Sequence, residues 1–255
     1  MTEPQDFFVD SWNIYHKLVA RNYMFHREIY AAVEKLLRDS FSRPFSLLDL
    51  GCGDASFLAP ILKSLDLDSY RGIDLADTAL RLAAENLRGL SRPADLRQAE
   101  MLNWLETDYE RYDMVFSSFA LHHLPSELKL EFFRHSAERL VPGGLLLLID
   151  VARDPGQDLP AYHDAYCGTM EREWTALLPQ ELEFAVTHVR NNDQPETLDD
   201  LLAMAERAGL ADIRRLGQYT WHHALSFGKG NRVRAPLDPA LGKARRPGGA
   251  GAGAG

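Results

Sequence analysis

Short apolar runs and amphipathic stretches alternate along most of this chain. Each apolar run has the length of a strand, and each amphipathic stretch has the three-to-four-residue spacing of a helix. Such an alternation predicts a doubly wound α/β fold, in which helices cover both faces of a parallel sheet. The predicted strands lie near 45–50, 70–75, 96–101, 112–119 and 145–150, and the predicted helices between them lie at 54–65, 77–90 and 126–140.

The parts before and after this alternation are predicted to be largely helical. Apolar residues at helical spacing over 7–39 indicate two N-terminal helices. The stretch 151–196 contains no convincing strand and is predicted to be a helical insertion over the ligand site. A last helix at 198–208 and two strands at 213–221 and 223–227 complete the predicted domain.

A glycine turn follows the first predicted strand. Leu47, Leu48 and Leu50 form the apolar run of a strand that is covered on both faces. Gly51 and Gly53 come directly after it and lack the Cβ atoms that would keep a ligand away from the backbone. The sequence therefore predicts a small-ligand site at this turn.

The residues around the turn indicate which ligand it binds. A phosphate-binding loop ends in Gly-Lys-Ser/Thr, which is absent, and a dinucleotide fingerprint has a third glycine where this chain has Ser56. Acidic residues are present instead. Asp49 precedes the glycines, and Asp74 follows the next strand about twenty residues on, where an acid commonly meets ribose hydroxyls.

These residues resemble motif I of the class I S-adenosylmethionine-dependent methyltransferases, Asp-x-Gly-x-Gly. Three later landmarks resemble the same family: the acidic Glu100 after the third strand, the Leu-His-His-Leu turn at 121–124, and Pro-Gly-Gly at 142–144 before the fifth strand. The resemblance covers about 105 residues and is to the members that act on small molecules. It implies a seven-stranded Rossmann-like sheet whose final strand is antiparallel, with N-terminal helices and a helical insertion that form a cap.

The resemblance also implies S-adenosyl-L-methionine as the cofactor. Glu100 is expected to accept a hydrogen bond from the adenine amino group and Met101 to pack on the ring, although the family commonly has Asp at the first of these positions. Carboxylates in the pocket favour a cationic cofactor. The predicted cofactor-binding residues are Asp49, Gly51, Cys52, Gly53, Asp74, Leu75, Glu100, Met101 and Phe119.

Four residues are candidates for acceptor chemistry: His123, His122, His26 and Tyr23. His123 is ranked first, because the turn after the fourth strand lies at the carboxyl edge of the sheet. A neutral imidazole with an ordinary pKa near 6.5 would make the rate fall as the pH drops through that value. The alternative is that both adjacent histidines only cap or pack against the following helix. Methyl transfer from a sulfonium is an in-line displacement that requires no metal, and none is predicted.

Composition places limits on location and partners. The chain has 255 residues and only two cysteines, and its N-terminus is polar and acidic. The prediction is a soluble, cytoplasmic protein with no membrane partner. From Lys229 onward there are six basic residues and one acidic residue, which gives this part a net charge of +5. The whole chain has a net charge of −9, so residues 1–228 carry −14. An acidic body repels phosphate backbones and argues against nucleic acid as a partner.

The predicted organisation is an N-terminal helical cap at 1–40, a cofactor-binding domain at 41–228 with its cap insertion at 151–197, and a disordered basic and Gly/Ala-rich tail at 229–255. The predicted function is methyl transfer to a small-molecule acceptor, with O- or N-methylation favoured. Two alternatives remain open. One is a protein that binds the cofactor without catalysis, and the other, which Ser56 disfavours, is a dinucleotide-dependent oxidoreductase.

Overall fold

A computed structural model describes residues 14–230 of the chain. The predicted tail lies almost wholly outside these residues, and so does the start of the N-terminal cap. The helices are α1 (14–20), α2 (His26–Ser40), α3 (Leu58–Leu62), α4 (Asp77–Asn86), α5 (Met101–Thr107), α6 (Ser126–Arg139), α7 (Leu159–Glu173), α8 (Pro179–Asn192) and α9 (Leu198–Arg207). The strands are β1 (Phe45–Leu50), β2 (Leu67–Asp74), β3 (Asp95–Gln98), β4 (Tyr112–Ser118), β5 (Leu140–Val151), β6 (Ala211–Tyr219) and β7 (His222–Gly228).

The strands form one seven-stranded sheet in the order β3-β2-β1-β4-β5-β7-β6. The first five strands are parallel, and β7 is antiparallel to both β5 and β6. The predicted doubly wound α/β fold, with an antiparallel final strand, is confirmed. The strand order reverses between β1 and β4, so the connections that leave these two strands run to opposite sides, and such sheets bind ligands in the crevice at that point.

Strand β5 shows why the sheet is covered on both faces. Leu145, Leu147 and Ile149 belong to the apolar cluster on the face covered by α2, α3 and α4. Leu146 and Leu148 point to the opposite cluster, which α5, α6 and α9 cover. Successive side chains of a strand point to opposite faces, so an unbroken apolar run requires apolar partners on both sides.

Helices α1, α7 and α8 form a third apolar cluster, which we call the cap. Ile14 and Leu18 of α1 pack with buried residues of α7 and α8, including Tyr166 and Val189. The Lys17 ammonium also lies 2.6 Å from a carboxylate oxygen of Glu181 in α8. The N-terminal helix and the helices after β5 are therefore one packed unit.

Two helices differ from the sequence prediction. The helix predicted at 54–65 is confined to α3, because the preceding turn places Ala55 in the left-handed region with φ +54°. Helix α5 was not predicted, since it is only seven residues long and directly follows the third strand. The Glu100 side chain caps α5 by accepting hydrogen bonds from the backbone N–H groups of Leu102 and Asn103.

The Pro-Gly-Gly segment is not the predicted tight turn before β5. Helix α6 passes directly into β5 at Leu140, and the segment lies inside the strand. Gly143 has φ +74°, and the pairing of β5 with β4 changes register between Tyr112 and Met114. The backbone N–H of Gly143 donates to the carbonyl of Lys229. The glycines therefore form an irregularity within the strand.

None of the helices within residues 14–230 is long and apolar enough to cross a membrane.

The alternation in β5 predicts a strong dependence of stability on Leu147. We expect Leu147→Ala to lower the free energy of unfolding by about 2 to 5 kcal/mol, because it leaves a cavity in a fully buried layer. The matched control is Leu128→Ala on α6, where the side chain is 38% exposed and the expected change is under about 0.5 kcal/mol. Urea unfolding measures both, and equal losses would contradict the assigned layers.

Candidate active site

A cavity of about 600 Å³ opens at the carboxyl ends of β1, β2, β3 and β4. The glycine turn, here residues 51–53, forms its floor next to Asp49 and Asp74. The segment after β3 contributes Glu100 and Met101, and the end of β4 with the segment after it contributes residues 118–120, His123 and Leu124. All nine predicted cofactor-binding residues line this one cavity.

The glycine turn is held by the end of the neighbouring strand. The backbone N–H groups of Gly51 and Cys52 both donate to the carbonyl of Ile73, over 2.8 and 3.0 Å. The N–H of Gly53 donates to Asp74 Oδ2 over 2.8 Å. Because all three amides are bonded to the end of β2, the turn and β2 present one fixed surface to the cavity.

The two glycines of the turn serve different purposes. Gly51 has φ +72°, and a Cβ there would lie 2.6 Å from the Cβ of Ala120 in the loop after β4. Gly53 has φ +52°, and a Cβ there would meet no described atom within 4 Å. Gly51 therefore allows two loops to approach each other, whereas Gly53 keeps the cavity open.

Asp49 is a buried carboxylate with an unusual environment. Its Oδ2 accepts a hydrogen bond from the Tyr70 hydroxyl over 2.8 Å, but its Oδ1 has no hydrogen-bond partner among the described residues. Burial raises the pKa of Asp49 to about 7, the Tyr70 hydroxyl opposes the shift, and the Asp74 carboxylate adds to it. A buried oxygen without a partner, in a residue that lines the cavity, can accept a hydrogen bond from a ligand.

The other two acidic candidates are oriented by backbone amides. Asp74 accepts from the N–H of Gly53 through Oδ2 and from the N–H of Ala76 through Oδ1. Glu100 uses Oε2 alone to accept from the amides that begin α5. The longer side chain of Glu, compared with the Asp expected from the resemblance, bends back to the helix and leaves Oε1 outside these bonds.

Aromatic side chains form one wall of the cavity: Tyr15, Tyr30, Phe57 and Phe119. His26 lies behind this wall, with its ring 4.6 Å from that of Phe57 and 5.2 Å from that of Phe119. Neither of its ring nitrogens has a hydrogen-bond partner in the described part of the chain, and burial lowers its pKa to about 4. His26 is therefore a neutral packing residue here and does not line the cavity.

The two adjacent histidines face different surroundings. His122 is buried, and its Nδ1 lies 2.5 Å from Asp150 Oδ1. Burial disfavours its charged form, but the Asp150 carboxylate outweighs this effect and raises the pKa of His122. The His123 side chain is 41% exposed and lines the cavity. His123 is thus the one of the pair that a ligand can reach.

The surroundings of His123 change the pH response that its ordinary pKa would give. Loss of water around the ring, followed by the charge of His122, lowers the pKa of His123 below its ordinary value. Its imidazole is therefore neutral well below 6.5, and a fall in rate at that pH is no longer expected from this residue.

The structure does not bring Tyr23 to the cavity. The Tyr23 hydroxyl accepts a hydrogen bond from the backbone N–H of Ala176, and its ring stacks on Trp174 with centroids 5.6 Å apart. These contacts place it in the cap. Tyr15 of α1, by contrast, lies on the cavity wall.

Two buried carboxylates that lie beside the histidines were not predicted from the sequence. Asp150 ends the apolar run of β5, which was the only available signal for it, and Asp193 follows α8 in the insertion. Asp193 Oδ1 lies 3.4 Å from His123 Nδ1 and 3.6 Å from His122 Nε2. Nothing in the spacing of the sequence predicts that these segments meet.

Comparison with known proteins supports the resemblance. Residues 48–146 match the family described as "Methyltransferase domain". The chain is 22% identical over 230 residues to the carboxy-S-adenosyl-L-methionine synthase of Trichodesmium erythraeum, covering 88% of each protein. It is 29% identical over 115 residues to a trans-aconitate 2-methyltransferase of Acidovorax sp., covering 45% of this chain and 42% of that protein.

A solved structure with the same fold covers nearly the whole chain. The plantazolicin methyltransferase BpumL, crystallised in complex with a monoazolic desmethylPZN analog and SAH, superposes with a TM-score of 0.61 at 14% identity. The match covers 89% of this chain and 91% of that one. At this identity the comparison establishes the fold.

The raised pKa of Asp49 predicts how stability varies with pH. The folded chain binds a proton at Asp49 up to about pH 7, whereas the unfolded chain releases it near the ordinary value of 3.8. The free energy of unfolding should therefore fall as the pH rises between these values, by about 1.4 kcal/mol per unit of pKa difference at most. Asp49→Asn keeps an acceptor for Tyr70 and should lack this decrease.

Urea unfolding of both proteins from about pH 5 to about pH 8 measures the effect. Because all other groups are shared, the variant should gain stability relative to the wild type as the pH rises. Parallel curves for the two proteins would show that Asp49 is already ionised at the lower pH.

Proposed function

We propose that this chain, which is a class I S-adenosylmethionine-dependent methyltransferase, methylates a hydroxyl or amine of a small neutral or cationic acceptor that carries an apolar group. The observation behind the proposal is the charge of the cavity. Four carboxylates line it, from Asp49, Asp54, Asp74 and Glu100, whereas no lysine or arginine is among the described lining residues.

The residues of the cavity suit the cofactor. Asp49 Oδ1 is a buried acceptor without a described partner, as an ammonium group of the cofactor requires. Gly53 leaves open space beside the turn, and Leu75 is 67% exposed at the end of β2, where an apolar ring could cover it. When bound, the cofactor supplies an activated methyl group on a sulfonium. Asp74 and Glu100 would contact its ribose and adenine.

The acceptor side of the cavity is aromatic. The wall of Tyr15, Tyr30, Phe57 and Phe119 offers an apolar surface, and the polar groups beside it are His123 and the Ser118 hydroxyl, which accepts a hydrogen bond from Tyr30 over 3.1 Å. A neutral His123 imidazole can accept the proton that a hydroxyl or ammonium group of the acceptor must lose. The remaining contribution of the chain is to hold the acceptor in position and exclude water.

The charge argument separates this proposal from the activities in the names of the relatives. A trans-aconitate methyltransferase acts on an acid, and a carboxy-S-adenosylmethionine synthase forms a carboxylated cofactor. A carboxylate on the acceptor would enter a cavity whose described lining holds four acidic side chains and no lysine or arginine. We therefore favour acceptors without negative charge.

Cofactor binding at the glycine turn can be tested with a matched pair of glycines. Gly53→Ala should weaken S-adenosylmethionine binding at least about tenfold, because the new methyl group occupies the open space of the cavity. Gly89 is the control, since it has φ +90° and also meets no described atom within 4 Å, but lies after α4. Calorimetric titration should give Gly89→Ala the wild-type affinity. Equal affinities for both variants would contradict the assigned position of the cofactor.

The acceptor class can be tested with methyl-labelled S-adenosylmethionine and two panels of small molecules of similar size. One panel holds phenols and amines that carry an apolar group and no acidic group, and the other holds carboxylic acids. We expect label in the first panel. Transfer confined to the acids would contradict the charge argument, and binding of the cofactor without transfer to any acceptor or to a cell extract would favour the non-catalytic alternative.

With an acceptor in hand, His123→Ala should lower turnover by about 10² to 10⁴ while cofactor affinity is retained. His135→Ala is the control, because His135 lies on α6 beside Glu131 and Glu138, away from the cavity. Wild-type turnover in His123→Ala would leave catalysis to positioning alone.

A further inference from the structure

Asp193, which follows α8, has a buried carboxylate that is surrounded by histidine side chains. The residue is 6% exposed, and its Oδ1 has no hydrogen-bond partner within residues 14–230. Three imidazole nitrogens surround this oxygen instead. His123 Nδ1 lies 3.4 Å away, His122 Nε2 3.6 Å and His188 Nε2 4.0 Å. Leaving a buried carboxylate oxygen unpaired is unfavourable, so a missing partner is expected here.

His122 is oriented toward this point from the far side. Its Nδ1 is bonded to Asp150 Oδ1 over 2.5 Å, and its backbone N–H donates to Asp150 Oδ2 over 2.9 Å. With Nδ1 engaged, Nε2 is the nitrogen that faces Asp193. A carboxylate that holds one nitrogen of a histidine and directs the other toward an ion is a recurrent feature of metal sites in proteins.

The backbone fixes the two segments against each other. The N–H of Gln194 donates to the carbonyl of His122 over 2.8 Å, and His163 Nε2 lies 2.9 Å from the carbonyl of Asp193. The N–H of Asp193 donates to the carbonyl of Val189 at the end of α8. The loop after β4 and the end of α8 are therefore joined independently of the side chains in the cluster.

We infer that His122 Nε2, His123 Nδ1 and Asp193 form a binding site for a divalent transition-metal ion, with His188 within reach as a fourth ligand. The potential ligand atoms of the first three residues lie within 4.8 Å of one another. Two nitrogens bound tetrahedrally to zinc at about 2.05 Å lie about 3.3 Å apart. The distances of 3.4 and 3.6 Å from these nitrogens to Asp193 Oδ1 are close to the separation of two ligand atoms on one tetrahedral ion.

The donor set indicates the class of ion. Imidazole nitrogen with one carboxylate suits Zn²⁺, Fe²⁺ or Co²⁺, whereas Mg²⁺ prefers oxygen ligands and keeps several waters. His123 lines the cavity, so an ion bound at its Nδ1 would lie beside the acceptor, where it would polarise an acceptor oxygen in place of proton transfer to His123. The inference goes beyond the proposed function and does not depend on it, because metal binding is measured without cofactor or acceptor.

The competing explanation needs no ion. A protonated His122 between Asp150 and Asp193 would satisfy both carboxylates electrostatically. The two explanations differ in whether the folded protein binds metal, so metal binding itself is the measurement.

The test uses the full chain, with any affinity tag removed, after treatment with a chelator and dialysis. Calorimetry with Zn²⁺ should show one site per chain, and Mg²⁺ should show none. Co²⁺ should give the visible ligand-field absorption of a bound ion, which Zn²⁺ then displaces. Absence of a Zn²⁺ site in protein that still unfolds cooperatively would overturn the inference.

Variants locate the site. Asp193→Asn and His123→Ala should each weaken Zn²⁺ binding by more than about 100-fold, and Asp150→Asn, which acts through His122, by about 10 to 100-fold. His135→Ala should bind as the wild type does. Zn²⁺ binding that is unchanged in Asp193→Asn and His123→Ala would also overturn the assignment. Circular dichroism checks that each variant is folded.

Titration of the same preparations with S-adenosylmethionine keeps the two claims separate. If the cofactor binds and Zn²⁺ does not, only the metal site is wrong. If Zn²⁺ binds and the cofactor does not, the metal site stands and the proposed function fails.

Discussion

The burial of the Asp49 carboxylate at the end of β1 is the constraint on which the ligand-binding edge of this sheet depends. Its neighbours on both sides are apolar, and only the Tyr70 hydroxyl from β2 is bonded to it among the described side chains. A charge in such a place is unfavourable unless a counter-charge arrives. The proposed cationic cofactor would supply that counter-charge and a donor for the unpaired oxygen.

The rest of the edge is built around this oxygen. Asp74 accepts the amide of Gly53, so β2 fixes the glycine turn, and Gly51 lets the loop after β4 approach within contact of that turn. The same loop carries His123 and, one residue earlier, the histidine that is buried against the end of β5. The glycine turn and the loop after β4, which form the proposed cofactor and acceptor sides of the cavity, are therefore in direct contact.

Much of the sheet and of the cofactor side could be predicted from the sequence, because both depend on local patterns. The apolar run of β1 and the spacing of Asp49, Gly51 and Asp74 lie within short segments whose periodicity and turn chemistry are readable. Helix α5 was not predicted, because Glu100, which caps it, was assigned to the end of the preceding strand. The acceptor side depends instead on contacts between distant segments. Asp193 meets the two adjacent histidines only because α8 ends beside the loop after β4, and spacing within the sequence contains no information about such a meeting.

The central claim is that the unpaired Asp49 oxygen binds the cationic cofactor, and calorimetric titration of S-adenosylmethionine into the wild type and Asp49→Asn tests it most directly. The substituted amide keeps an oxygen that can accept the hydrogen bond from Tyr70 but carries no charge. The account therefore predicts one site in the wild type and at least about tenfold weaker binding in the folded variant. Equal affinity in the two proteins would contradict it.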